Sequence, residues 1–259
     1  MNEIIWGEQL DIAGPSGRIA ASIHRPAEIR DRGAVIFLHG LGGNRHEHNG
    51  IFTRMAARLA QEGALALRFD FSGNGESDHD PEFMTLETMK ADIDAVIEYL
   101  RNHEISKKEE ISLIGLSLGG LLAAYAISYR QDLKAAALWE PPFNLVATLK
   151  RLYGPMAFDR VRVRGYLQAG LMKLNAQFLG QFLELDASAF VPLISKPVLL
   201  IQGEADQVVT MEDAARWESV FEKHADFESF YLAEADHAFT SESDALSVID
   251  RTMSWFARL

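Results

Sequence analysis

The order of apolar segments predicts an α/β fold: one open, mostly parallel sheet of about eight strands, with helices on both faces. Three observations carry this. Short runs rich in β-branched and aromatic residues alternate with segments whose apolar residues recur at helical spacing. The runs are apolar throughout, as strands covered on both faces must be. The chain has 259 residues, 48% of them hydrophobic and 24% charged, enough to bury about 70–75% of its unfolded surface. Strand and helix in alternation build a parallel sheet through crossover connections.

GRIAASIHRP reads as an early strand, ended by Pro26. GAVIFLHG (Gly33–Gly40) is a buried strand. IFTRMAARLAQEG spaces Ile51, Met55 and Leu59 as a helix does, with Gly63 as its stop. ALALRFDF (Ala64–Phe71) is the next strand. In TLETMKADIDAVIEYLRN (Thr85–Asn102), Leu86, Met89, Ile93, Val96, Ile97 and Leu100 fall on one helical stripe. ISLIGL (Ile111–Leu116) is a strand and LGGLLAAYAISY a small-residue helix. KAAALWE, PVLLIQG and FESFYLA (Phe227–Ala233) complete the strands, and ALSVIDRTMSWFARL closes the chain as a helix. Residues 141–195 break this rhythm. They are too many for a plain loop, and Pro141, Pro142, Gly154, Pro155, Gly165 and Gly180 punctuate them. The expectation is a cap insertion between two core segments, residues 1–140 and 196–259.

Composition excludes several functions. A formal net charge of −12 disfavours nucleic acid and anionic membrane as partners. With no cysteine there is no disulfide, thiolate metal site or cysteine nucleophile. The opening MNEIIWGEQLD has no basic stretch followed by an apolar one, so no signal peptide is expected. No apolar run is long enough to span a membrane. Cytoplasmic residence is the expectation.

The chemistry centres on ISLIGLSLGGLLAAY (Ile111–Tyr125), where Ser117 stands between Gly115 and Gly119. Gly-x-Ser-x-Gly between a strand and a helix is the pattern of a nucleophile elbow. The glycines remove side chains where strand and helix nearly touch. The turn lifts the hydroxyl off the carboxyl edge of the sheet, at a helix N-terminus whose free N–H groups favour negative charge. A serine hydroxyl needs a base, and the base an orienting acid. Beyond PVLLIQG lies Asp206, and beyond the last strand lies His237, both at the edge that holds Ser117. Glu204 and Asp213 are rivals for the acid, and His224 for the base, although His224 is expected within an amphipathic helix. Asp236 reads as solvated or turn-forming. An oxyanion hole needs two donors. The backbone N–H of Leu118 is one and that of Leu41, in HGLGG, the other. His39 is expected to brace that loop, with His46 and His48 at the surface, since their spacing makes a poor zinc signature. No metal or cofactor is expected.

HGLGG (His39–Gly43), RFDFSGNGESD (Arg68–Asp78), GLSLGG, GEADQVV and ADHAF together resemble the α/β-hydrolase superfamily, and most closely its cinnamoyl or feruloyl esterases and small carboxylesterases. The resemblance implies a carboxylesterase with Ser117 as nucleophile, Asp206 as acid, His237 as base, Leu41 and Leu118 as oxyanion donors, and no cofactor. Leu116 and Leu118 flank the serine where those esterases often carry His and Gln. Ser77 and Asp78 are expected to shape a turn. The partner implied is a small-molecule ester, and homo-oligomers are frequent on this fold. The same triad serves peptidases, amidases, thioesterases and lactonases, and a non-catalytic binding module is the remaining alternative. From Pro141 to Leu185, six Lys and Arg (Lys150, Arg151, Arg160, Arg162, Arg164, Lys173) face two acids (Asp159, Glu184), a local charge of +4. It reads as a solvated face or as a guide for an anionic or phenolic substrate.

Overall fold

The computed structural model describes residues 6–27, 33–104 and 110–259. Residues 1–5, part of the opening stretch read for a signal segment, lie outside these. An eight-stranded sheet runs through the middle of the molecule. Its strands are β1 (Glu8–Gly14), β2 (Gly17–His24), β3 (Ala34–Leu38), β4 (Leu65–Phe69), β5 (Ile111–Leu116), β6 (Leu133–Trp139), β9 (Val198–Gly203) and β10 (Phe227–Leu232). The spatial order is β1-β2-β4-β3-β5-β6-β9-β10. The pairs β1·β2 and β2·β4 are antiparallel, and the remaining five are parallel.

The two-residue period of each central strand divides its side chains between two apolar layers. Ala34, Ile36 and Leu38 of β3 join the layer of α2 (Leu86–His103), α3 (Leu118–Tyr129) and α8 (Met211–Phe221). Val35 and Phe37 join that of α1 (Ile51–Gln61) and α9 (Glu242–Phe256). The whole expected stripe of α2 is buried, and Thr85 caps that helix by accepting the Thr88 N–H at 3.1 Å. Each fully buried Ile, Leu or Phe of these layers contributes about 1.5–3 kcal/mol.

Between β6 and β9 the chain forms α4 (Leu145–Tyr153), α5 (Pro155–Arg164), the hairpin β7 (Tyr166–Ala169) and β8 (Met172–Asn175), α6 (Ala176–Glu184) and the short α7 (Ala187–Phe190). Leu145, Leu149, Leu167, Phe178 and Phe182 are continuous with the α2/α3 layer. Asn175 ties the hairpin down, its side-chain NH₂ donating to Glu82 O at 2.7 Å and Met84 O at 3.1 Å. Lys173 adds an ion pair to Glu82. Among the described residues no helix is long and apolar enough to cross a membrane.

Two elements go beyond the sequence reading. Strand β1 was not expected, because only Ile12 of its seven residues is buried. In the amphipathic piece LQAGLMKLNAQFLGQFLEL, AQFLGQFLE forms α6 and LQAGLMKLN belongs to the β7–β8 hairpin. Gly170 turns it at φ 59°, a conformation glycine adopts without strain.

Candidate active site

Ser117 joins β5 to α3 with φ 55° and ψ −122°, a backbone region that costs a non-glycine residue about 1–3 kcal/mol. Its neighbours hold it there. The Ser117 N–H donates to Trp139 O at 2.8 Å, and Ser117 O accepts from Gly120 N–H at 2.8 Å. A Cβ on Gly115 would collide with Gly119 O, and one on Gly119 with Leu38 O. Both glycines are therefore required by close backbone approach.

Three side chains from three strand ends converge at this point. His237 Nε2 lies 3.0 Å from Ser117 Oγ, and His237 Nδ1 lies 2.6 Å from Asp206 Oδ2. Asp206 is buried, at 3% exposure, and its Oδ1 accepts from Val208 N–H at 2.6 Å and Val209 N–H at 2.9 Å. Burial opposes its ionisation. The hydrogen bond and charge of His237, with support from Glu140 and Val209 N–H, outweigh that and hold its pKa below the ordinary carboxylate range. With Asp206 ionised, Nδ1 of His237 carries a hydrogen that it donates, and Nε2 is left to accept from the serine hydroxyl.

The loop after β3 packs against the elbow. A Cβ on Gly40 would lie 3.3 Å from Ser117 Cβ. Gly40 N–H donates to Glu47 Oε1 at 2.6 Å. His39 accepts from Phe71 N–H through Nε2 at 3.0 Å, which leaves Nδ1 to donate to Gly40 O at 2.8 Å. Among the described residues, neither the Leu41 nor the Leu118 N–H is spent on an internal hydrogen bond.

The rival residues lie elsewhere. Glu204 is exposed. Asp213 caps α8 and accepts Phe143 N–H at 3.0 Å. Asp236 accepts from Thr240 N–H at 2.9 Å in a turn. His224 follows α8 instead of lying within it, its ring edge-on to Phe221 at 5.5 Å. His46 is half-buried, against the surface expectation, 3.1 Å from Thr53 Oγ1 and from Arg68 Nη1. Ser77 and Asp78 knit the turn to β2, accepting Ala20 N–H at 2.9 Å and Arg18 N–H at 3.0 Å. Of the six insertion cations, Arg151 reaches Val208 O at 2.6 Å and Lys173 pairs with Glu82. Arg160, Arg162 and Arg164 make no ion pair among the described residues.

Two features escaped the sequence reading. Arg45 and Asp70 form a buried ion pair that anchors the loop after β3, Arg45 N–H also donating to Asp70 Oδ1 at 2.6 Å. Glu140, directly after β6, is fully buried beside Asp206. An acid at the carboxyl end of a buried strand, as in KAAALWE, was the available signal. Ligand-type atoms of Glu140, Asp206 and His237 lie within 4.8 Å of one another. Glu140 Oε1 and both oxygens of Asp206 already accept, from Gly203, Val208 and Val209 N–H and from His237. The cluster reads as a hydrogen-bonded relay, not a metal cage.

Residues 29–169, more than half the chain, match the family described as serine aminopeptidase, S33. Residues 164–256 match the dienelactone hydrolase family. A proline iminopeptidase of Lactobacillus helveticus is 26% identical over 169 residues, 60% of this chain and 54% of the relative. The chain thus spans about half the length of that relative. Est1E from Butyrivibrio proteoclasticus, with ferulic acid bound, superposes with a TM-score of 0.81 at 22% identity, covering 96% of this chain and 99% of its own. An esterase of Pyrococcus furiosus gives 0.75 at 21%, covering 97% and 91%. The chain belongs to the serine aminopeptidase S33 family and has the α/β-hydrolase fold.

Proposed function

We propose that this hydrolase is a serine carboxylesterase acting on small or aromatic esters through an acyl-enzyme, with Ser117 as nucleophile, His237 as base and Asp206 as acid. The observation that carries the reading is the unbroken chain of contacts at 3.0 Å and 2.6 Å from Ser117 Oγ through His237 to Asp206. Ser117 Oγ attacks the ester carbonyl as His237 Nε2 takes its proton. Asp206 stabilises the imidazolium. The developing oxyanion is met by the uncommitted N–H groups of Leu41 and Leu118, and one such donor is worth about 3–4 kcal/mol. The imidazolium protonates the leaving alkoxide. His237 then activates water, which releases the acid and restores the serine.

An aromatic acyl group is supported by the ferulic acid held by Est1E and by the arginines of α5, which make no ion pair among the described residues and suit an anionic or phenolic substrate. The family description and the proline iminopeptidase relative favour a second reading, cleavage after an N-terminal residue. That activity needs a carboxylate for the substrate amine. The insertion has two acids against six cations from Pro141 to Leu185, so esters are the better fit.

The test is hydrolysis of p-nitrophenyl acetate, butyrate and a feruloyl ester beside an N-terminal prolyl amide, with Ser117→Ala as control. The expected result is ester turnover that falls about 10⁴-fold or more in the variant. Turnover of the prolyl amide alone favours the peptidase. Wild-type turnover equal to the variant's on every substrate rejects the triad.

A further inference from the structure

Glu140 has no task in that chemistry, yet it is held as tightly as the nucleophile. It follows Trp139, whose carbonyl fixes the Ser117 N–H. It is fully buried, with a φ of 50° that a non-glycine side chain resists. Its N–H donates to Ile201 O at 2.9 Å, and its Oε1 accepts Gly203 N–H at 2.7 Å. A Cβ on Gly203 would lie 2.9 Å from Glu140 Oε1 and would strike Ala235 O. The glycine ending β9 thus makes room for this carboxyl.

Glu140 Oε2 is buried, and among the described residues no N–H or O–H donor meets it. An ionised Glu140 would leave that oxygen unsatisfied next to the charge of Asp206, an arrangement too costly to persist. A carboxylic acid removes the difficulty, because its own hydrogen can be given to Asp206, whose carboxylate oxygen lies within 4.8 Å of a Glu140 oxygen. The groups facing Glu140 are Asp206 after β9 and His237 and Asp236 after β10. Burial, then the charge of Asp206 and its hydrogen bond, push the Glu140 pKa well up, and Asp236 adds to this. Gly203 N–H pulls the other way.

We infer that Glu140 is a positioning residue of the relay: un-ionised, it donates a hydrogen bond to Asp206 and so holds that carboxylate charged and aimed at His237 Nδ1. The inference rests on the triad reading above. Asp206 then has four partners: Val208 N–H, Val209 N–H, His237 and Glu140. Losing the Glu140 donor concentrates negative charge on the oxygen facing His237 and makes the imidazole harder to deprotonate.

Two measurements test this on the full chain. The first is the rate of fluorophosphonate labelling against pH for wild type, Glu140→Gln and Glu140→Ala, with Ser117→Ala as blank. Glu140→Gln, whose amide still donates, is expected to label within about threefold of wild type with the same acid limb. Glu140→Ala is expected to label about tenfold more slowly, the worth of one hydrogen bond to a charged group, with its acid limb at higher pH. The second is the infrared difference between wild type and Glu140→Gln at neutral pH, which needs no alanine variant to fold. It is expected to contain one protonated-carboxyl stretch. Asp92, whose pKa burial raises to about 6, is common to both samples and cancels. Absence of that band overturns the inference, as does a Glu140→Gln acid limb displaced from that of wild type. If wild type labels no faster than Ser117→Ala, the triad reading fails and takes the inference with it. If Ser117-dependent labelling stands without the band, the inference alone fails.

Discussion

A methyl group added to Gly119 would collide with the carbonyl oxygen of Leu38, whereas one added to Gly180 in α6 would meet nothing within 4 Å. The contrast holds across the two regions these residues represent. At the strand ends, Asp206 is satisfied on both oxygens, His237 bonds through both nitrogens, and Ser117 and Glu140 sit in strained conformations imposed by their neighbours. In the segment above them, α5 has no buried residue, Leu171 at the hairpin tip is fully exposed, and Arg160, Arg162 and Arg164 have no ionic partner among the described residues. The first region admits one arrangement, as proton transfer between fixed atoms requires. The second is held by fewer contacts, with α5 exposed along its length.

Substitutions should therefore cost most where the backbone and hydrogen bonds leave no slack. Asp206→Asn keeps the shape but presents an amide to His237 Nδ1 and selects the wrong tautomer. Ester kcat is expected to fall about 10⁴-fold with secondary structure unchanged by circular dichroism. Gly119→Ala is expected to lose more than about 3 kcal/mol in urea unfolding, because backbone must move. Gly180→Ala, in a helix with open space around it, is expected to gain about 0.5–1 kcal/mol. Equal effects of the two substitutions would erase the contrast.

The Glu140 carboxyl adds a pH signature with a definite sign. Its folded pKa is raised, while an unfolded Glu titrates near about 4.3. Above that value the folded protein keeps a proton that the unfolded chain has released. This contribution to stability therefore diminishes as pH rises toward the folded pKa, by up to about 1.4 kcal/mol per unit. The Glu140→Gln variant lacks it. Its stability relative to wild type is expected to climb as pH rises above the unfolded carboxyl value of about 4.3 in urea titrations. The smallest effect belongs to the outer region. Replacing Arg160, Arg162 and Arg164 together by Gln is expected to lower kcat/KM for an anionic ester about threefold at low salt and to leave a neutral ester unchanged.

The same contrast explains what could be seen in the sequence. The elbow was legible because its rule is local: an apolar strand, glycines two residues either side of a serine, then a helix. Asp206 and His237 were legible because each follows a strand, buried β9 and half-buried β10, and parallel strands finish at one edge. Strand β1 was not, since Ile12 alone breaks an exposed pattern. The β7–β8 hairpin was hidden because Leu167, Leu171 and Leu174 also suit a helical stripe, and its pairing depends on Gly170. The Arg45–Asp70 pair and the burial of His46 join residues far apart in the chain, which no local pattern records. Glu140 stood in plain view after β6, but its meaning depends on Asp206 arriving from β9.

Mapping the adduct of a fluorophosphonate by peptide mass spectrometry, in wild type and in His237→Ala, tests the shared geometry most directly. The account predicts a single adduct on Ser117 in wild type and labelling slowed at least about 10³-fold in the variant. An adduct on another residue, or equally rapid labelling of Ser117 without His237, would contradict it.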